Sequence, residues 1–109
     1  MKKDIKVLWM ADLRSGEHTQ GVGLLCKGDA YCCLGRLCEL AVEAGVTKAS
    51  IGGHGVVGYD GEESILPESV RLWAGLSTPT AEYGAYSLSN DNDKGKTFAE
   101  IADIIEREF

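Results

Sequence analysis

The residues of this chain best suited to bind a metal ion or to act as nucleophiles are four cysteines. They are Cys26, Cys32, Cys33 and Cys38. Structural zinc sites usually take ligands in pairs that lie two to four residues apart on turns, whereas Cys33 and Cys38 are five apart in a segment with helical periodicity. The other possible set of zinc ligands consists of Cys26, Cys32 and a histidine that is distant in sequence. Burial as small apolar side chains accounts better for the spacing, so we predict no metal site.

Two further segments resemble catalytic or nucleotide-binding motifs. His54 lies among glycines at 52–55, but nucleophilic catalysis needs an oriented thiolate beside a histidine, and the cysteines belong to an apolar stripe. The segment 90–97, NDNDKGKT, ends as a P-loop does, yet Asn90 replaces the first glycine and its aspartates would repel phosphates. We therefore expect residues 89–96 to form a solvated polar loop, and the chain to be a non-enzymatic protein without a cofactor.

A second hypothesis is a pocket that binds a small ligand. Its candidate residues are Arg14, His18, Gln20, Arg36 and His54. Together with backbone N–H groups of the Gly-rich turn, these side chains would suit an anionic group if the fold brought them together. Arg36 is the most specific of these candidates because it lies one turn into the predicted central helix, where its guanidinium can reach the edge of the apolar surface. An ordinary arginine whose stem lies on apolar surface is the alternative explanation.

Charge and composition exclude several function classes. The 109 residues carry a net charge of −6, which repels nucleic-acid backbones and suits a basic partner surface. The first residues lack the apolar core of a signal peptide, and no apolar run approaches the ~20 residues of a membrane span. We expect a protein of the cytoplasm, where cysteines stay reduced, without direct nucleic-acid or membrane binding.

Hydrophobic periodicity predicts four helices in a single domain, residues 1–109. The segment 31–45 is the most apolar and should be a buried central helix that ends at Gly45. Gly35 within it should allow close approach of another backbone. Amphipathic helices are predicted at 4–14 and, after the capping box of Thr97 and Glu100, at the C-terminus. A short helix should begin at Pro67 and end at Gly75.

Short strands are predicted between these helices. They are expected at 20–26 with a return at 29–32, on both sides of the turn 52–55, and within 81–88. The fold class is thus α+β: a central buried helix, amphipathic N- and C-terminal helices and a small antiparallel sheet of short strands.

Several blocks of the chain resemble a family of small uncharacterised proteins found mainly in bacteriophages and prophages. The blocks are LRSG at 13–16, YCCLGRLCELA at 31–41, VVGYDGEESILPESVRLWAGL at 56–76 and SNDNDKGKTFAEIADIIE at 89–106. The resemblance implies a phage accessory protein that acts by binding in the host cytoplasm. The main hypothesis is an inhibitor or modulator of a host protein. The alternative is a protein that sequesters a small anionic ligand, such as a signalling nucleotide. The oligomeric state is left open.

Overall fold

The apolar segment after Tyr31 forms the buried central helix, as predicted. In the computed structural model, which describes residues 1–109, this helix is α2 (Cys33–Glu43). Its predicted stripe is fully buried and consists of Cys33, Leu34, Leu37, Cys38 and Ala41. Gly45 adopts the left-handed conformation (φ 75°) that ends the helix. All four cysteines are buried free thiols, which confirms their prediction as core residues.

The chain before α2 lies directly against the helix at Gly35. A Cβ at this position would stand 1.7 Å from the carbonyl oxygen of Leu25, so the predicted close approach is confirmed. The predicted continuous strand 20–26 is wrong. Only β1 (Thr19–Gln20) and β2 (Cys26–Lys27) are extended. The break follows from the contact with α2, because the Leu25 carbonyl accepts the backbone N–H of Cys32 and its own N–H donates to Glu63.

Short strands form two small sheets. The larger has the order β1, β3 (Ala30–Tyr31), β2, β5 (Val56–Tyr59) and β4 (Ala49–Ile51). Strands β4 and β5 flank the Gly-rich turn as predicted. All pairs are antiparallel except β1 with β3, which no tight turn connects. The fold is α+β, and the sheet is mixed rather than wholly antiparallel.

The terminal helices pack together, and the first of them also packs against α2. They are α1 (Lys3–Arg14) and α5 (Phe98–Glu108). The predicted capping box at Thr97 and Glu100 is present at the start of α5. Trp9 of α1 is fully buried, and its Nε1 donates a hydrogen bond of 2.9 Å to the Cys33 carbonyl. None of the helices has the length and apolar character that crossing a membrane would need.

The segment between the third helix and α5 departs most from expectation. Helix α3 (Glu68–Ala74) starts one residue after Pro67. A hairpin follows, formed by β6 (Glu82–Tyr83) and β7 (Tyr86–Ser87). The prediction of a solvated loop at 89–96 is wrong, because Leu88–Asp93 is a helix, α4, capped by Ser87. Two of its polar residues are buried, and hydrogen bonds with other parts of the chain explain why.

Thr47 carries an unsatisfied hydroxyl and gives a stability prediction. Its Oγ1 is buried and has no hydrogen-bond partner. Replacing the hydroxyl with a methyl group of similar size removes the desolvation cost, so Thr47→Val should stabilise the fold by about 1 kcal/mol. Thermal unfolding should shift upward by about 4 °C. Thr19→Val, at an exposed strand position, is the control and should leave the midpoint nearly unchanged. A lower midpoint for Thr47→Val would contradict this account.

Candidate functional site

Two of the five candidate ligand residues, His18 and Arg36, meet at one carboxylate. The Arg36 guanidinium donates from Nε and Nη2 to Asp12, over 2.9 and 2.8 Å. His18 Nε2 lies 3.4 Å from the same carboxylate. The guanidinium also stacks 4.5 Å above the ring of Tyr31. The cluster therefore ties α1 to α2 and to the sheet.

The positive charge of Arg36 is neutralised by an ion pair within the protein. The side chain is buried, and although burial disfavours the cation, the Asp12 carboxylate more than compensates, so the pKa of Arg36 is raised above its ordinary value. A bidentate arginine–carboxylate pair is a strong, directional contact. The arrangement describes a structural ion pair between two helices, with the positive charge already matched.

The other three candidates lie elsewhere. Arg14 donates to Asp103 of α5 over 2.7 Å. Gln20 donates from Nε2 to Asn92 and to the Lys96 carbonyl, each over 2.8 Å. His54 is exposed in the turn Gly53–Gly55. None of the five lines a cavity of the structure, and anion binding by them stays a prediction.

The cysteines are placed as core residues rather than as reactive groups. Desolvation by burial is the first cause that raises the pKa of each thiol above its ordinary value. A protonated thiol is a poor nucleophile and a poor metal ligand. No three side chains of His, Cys, Asp or Glu are grouped so that they would hold a metal ion.

A polar cavity lies between the β6–β7 hairpin, α4 and α5. This hairpin groove has a volume of about 440 Å³. It is lined by Tyr83, Tyr86, Asp91, Lys96, Glu100, Asp103, Ile104 and Arg107. The lining holds three carboxylates and two cations, and one of the carboxylates, Asp103, is already paired with Arg14. The groove combines these charged groups with aromatic surface.

Asp91 is the least exposed charged residue of the groove, at 9%. Its Oδ2 accepts a hydrogen bond from the Tyr83 hydroxyl. No group of the chain donates to the other oxygen, Oδ1, and that atom is not sealed from solvent. The groove therefore contains a largely buried carboxylate with one hydrogen-bonding position free.

Two tyrosines form the aromatic wall of the groove. The rings of Tyr83 and Tyr86 lie 5.7 Å apart, and Phe109 supports Tyr83 edge-on at 5.8 Å. Tyr83 is held by this packing and by Asp91, whereas Tyr86 is 66% exposed. An exposed aromatic ring next to a fixed one presents a flat surface that a ligand's aliphatic or cationic group can cover.

Asn92 fixes the position of this groove within the fold. Its Oδ1 accepts hydrogen bonds from the Cys33 backbone N–H and the Gln20 side chain, and its Nδ2 donates to the Gly21 carbonyl. The amide is 1% exposed. Asn92 thus anchors α4 to the N-terminus of α2, and the neighbouring Asp91 lines the groove.

The groove is not predicted from the sequence, which indicates a strand within 81–88 and a solvated loop at 89–96. One signal was present: Tyr83 and Tyr86 flank the two residues Gly84-Ala85, a spacing typical of a tight hairpin, and Ser87 is a good N-cap. Nothing in the local pattern indicates that Asp91 and Asn92 are buried, because their partners are distant in sequence.

The network around Asn92 predicts a large loss of stability on its removal. Asn92→Ala leaves the Cys33 N–H, the Gln20 amide and the Gly21 carbonyl with fewer partners, so we expect a loss of about 3 kcal/mol in the free energy of unfolding. Urea denaturation measures it. Asn90→Ala, on the exposed side of the same helix, is the matched control and should cost less than about 0.5 kcal/mol. Equal midpoints for the two variants would rule out the proposed anchoring role.

The Tyr83–Asp91 contact predicts an alkaline titration. Burial and the bond to Asp91 raise the pKa of Tyr83 to about 12. Because a free tyrosine titrates near ~10, the contribution of the neutral phenol to stability is complete below about pH 10 and is lost as the pH rises toward 12. In an absorbance titration of tyrosinate, Asp91→Asn should lower this pKa, and Tyr83→Phe should remove the transition. An unchanged titration in Asp91→Asn would show that the carboxylate does not act on Tyr83.

Comparison with known proteins assigns the family of the chain but carries no activity with it. No curated protein and no solved structure matches this sequence. The family described as Domain of unknown function (DUF8296) matches residues 1–109, which is the full length of the chain. A match of this extent covers the central helix, both sheets and the groove. The chain therefore belongs to the DUF8296 family.

Proposed function

We propose that this protein binds another protein by holding a basic segment of it in the hairpin groove. The observation that carries the proposal is the half-satisfied carboxylate of Asp91, largely buried beside an exposed tyrosine. A lysine or arginine side chain that enters the groove donates to Asp91 Oδ1 and lies along the ring of Tyr86. Both contacts are favourable for a cation and unfavourable for an anion.

The surroundings of the groove support a cationic ligand. Helix α5 carries four carboxylates, those of Glu100, Asp103, Glu106 and Glu108, and one basic residue, Arg107. Arg14 of α1 pairs with Asp103 and Glu106, so the carboxylates still outnumber the cations by two. The net charge of −6 adds long-range attraction for a basic partner and raises its rate of association at low salt. The burial of Asp91 reduces screening of its charge by solvent and salt. Charge thus supplies the attraction, and the aromatic wall supplies contact area.

Of the two binding hypotheses from the sequence, the groove favours a protein partner. A small anionic ligand in the groove would meet the largely buried carboxylate of Asp91, which repels an anion and offers it no hydrogen-bond donor. The resemblance to phage-borne proteins suggests that the partner belongs to the host and that the encounter takes place in the host cytoplasm. Four free thiols suit such a reducing compartment.

The test is a titration of the isotope-labelled protein with a defined peptide, a capped sequence that contains three consecutive arginines. We expect saturable amide shift changes centred on Tyr83, Tyr86 and Asp91. Asp91→Asn should weaken binding about tenfold, or ~1.4 kcal/mol, because it removes the charged acceptor. Raising the salt concentration should weaken binding of the unaltered chain as well.

Glu17→Gln is the matched control, since it removes the same charge from an exposed position outside the groove. It should change the affinity less than about twofold. The proposal fails if no saturable change occurs up to about 1 mM peptide, if a matched triglutamate peptide binds as well, or if Asp91→Asn and Glu17→Gln behave alike. Shift changes confined to another face would also overturn it.

A further inference from the structure

Strand β4 is an unprotected edge of the five-stranded sheet. It lies last in the strand order and pairs only with β5. All three of its residues are exposed, and Ile51 exposes 80% of its surface. Besides keeping such an edge short, natural proteins protect it with proline, a bulge, a charged side chain or a covering segment. Strand β4 is short, but Ala49-Ser50-Ile51 contains no proline or charge, and its pairing with β5 is regular.

The opposite edge of the sheet shows the contrast. There, the segment that contains β1 contacts the end of α4 and the residues that connect α4 to α5. Gln20 donates to Asn92 and to the Lys96 carbonyl, and the backbone N–H of Gly23 donates to Asp93 over 3.0 Å. The fold thus covers one edge with its own chain and leaves the β4 edge with free backbone groups.

The hydrogen-bond register identifies the free groups. The Gly52 N–H donates to the Val56 carbonyl over 2.7 Å, so Gly52 turns its backbone groups toward β5. In an antiparallel pair, alternate residues do so, and Ser50 therefore faces β5 as well. The N–H and C=O groups of Ala49 and Ile51 point away from the sheet, which leaves two donors and two acceptors on the outer edge.

We infer that this edge pairs with the β4 edge of a second copy of the chain, in an antiparallel arrangement centred on Ser50. Ala49 then lies opposite the partner's Ile51, and Ile51 lies opposite the partner's Ala49. All four free backbone groups are satisfied on each copy, and the two sheets join into one. A two-fold axis at Ser50 makes the contact self-complementary, as a closed dimer requires.

Charge complementarity selects this register. With Ser50 at the centre, Lys48 lies opposite the partner's Gly52. The Glu63 carboxylate of each chain stands near its own Gly52, 3.8 Å from where a Cβ would be. Residues 48, 50 and 52 share one face of the strand, so Lys48 and the partner's Glu63 lie on the same side. Neither side chain has an ion pair within its own chain, and symmetry forms the new pair twice.

The opposite face of the edge contributes apolar contact. Ala49 and Ile51 project on the side of their partners in β5, Tyr59 and Val57 respectively. In the dimer, each exposed isoleucine is flanked by the partner's Ala49, which removes apolar surface from water. Because this surface is made by β4 and β5, it is independent of the hairpin groove, and its failure would leave the proposed function standing.

The first test is sedimentation of the full chain from about 1 µM to about 1 mM, a range that spans weak to moderate affinities. We expect a reversible monomer–dimer equilibrium. Amide exchange on the same samples should show that the Ala49 and Ile51 amides become protected as the dimer forms, whereas the Ser50 amide is protected throughout. A monomer at every concentration, or a dimer without new protection at these two amides, would overturn the inference.

Charge reversal provides the second test. Lys48→Glu and Glu63→Lys should each raise the dimer dissociation constant at least about tenfold by placing like charges opposite each other. The double variant should restore dimerisation. Lys94→Glu, an exposed charge reversal elsewhere, is the control and should leave the constant within about twofold. Single variants that dimerise normally, or a double variant that is not rescued, would exclude the Ser50-centred register.

Discussion

The buried amide of Asn92 is the contact on which both the central helix and the groove depend. Helix α2 has Cys32 at its N-cap, a residue that supplies no side-chain bond to the exposed N–H groups. A helix start buried without acceptors is unfavourable. Asn92 supplies the missing acceptor from 59 residues away, at the N–H of Cys33. The same oxygen accepts from Gln20, and Nδ2 donates to the Gly21 carbonyl, both in the segment that contains β1. One amide thus joins three parts of the chain.

This anchoring determines what the adjacent residue can do. Asn92 points into the core, and Asp91 lines the groove on the same rigid turn of α4. Burying a carboxylate is costly unless hydrogen bonds compensate, and Asp91 receives only one within the chain, from Tyr83. The fold tolerates the cost because Asn92, Leu88 and the hairpin hold α4 in place. Incomplete compensation in a well-fixed position is typical of a site prepared for an external group.

The sequence predicts the elements whose signals are local. Helices α1, α2 and α5 follow from their apolar periodicity. Gly45 marks a boundary through its backbone conformation, and Thr97 and Glu100 mark another through local hydrogen bonds of their side chains. The errors at 20–26 and 89–96 have one physical cause. The backbone of Leu25 is turned by its contact with Gly35, and Asn92 is buried by bonds to Cys33 and Gly21. Such long-range partners leave no trace in the composition of a short segment.

The candidate ligand residues show that the sequence also does not reveal which charged side chains are already paired within the fold. Arg36 is a sound choice by residue type, but its guanidinium is matched by Asp12, which the sequence places on the other face of α1 without indicating a partner. Polar residues that satisfy one another inside the fold cannot be told by type from those free to bind. The distinguishing property is an unused hydrogen-bonding position: Asp91 Oδ1 in the groove, and the backbone of Ala49 and Ile51 at the β4 edge. The groove and the edge share no residues, so a dimer joined through β4 would present two grooves related by its two-fold axis. Two linked grooves would bind a partner with two basic segments more tightly than a partner with one. Once the first segment is bound, the second is held at a high effective concentration near the other groove.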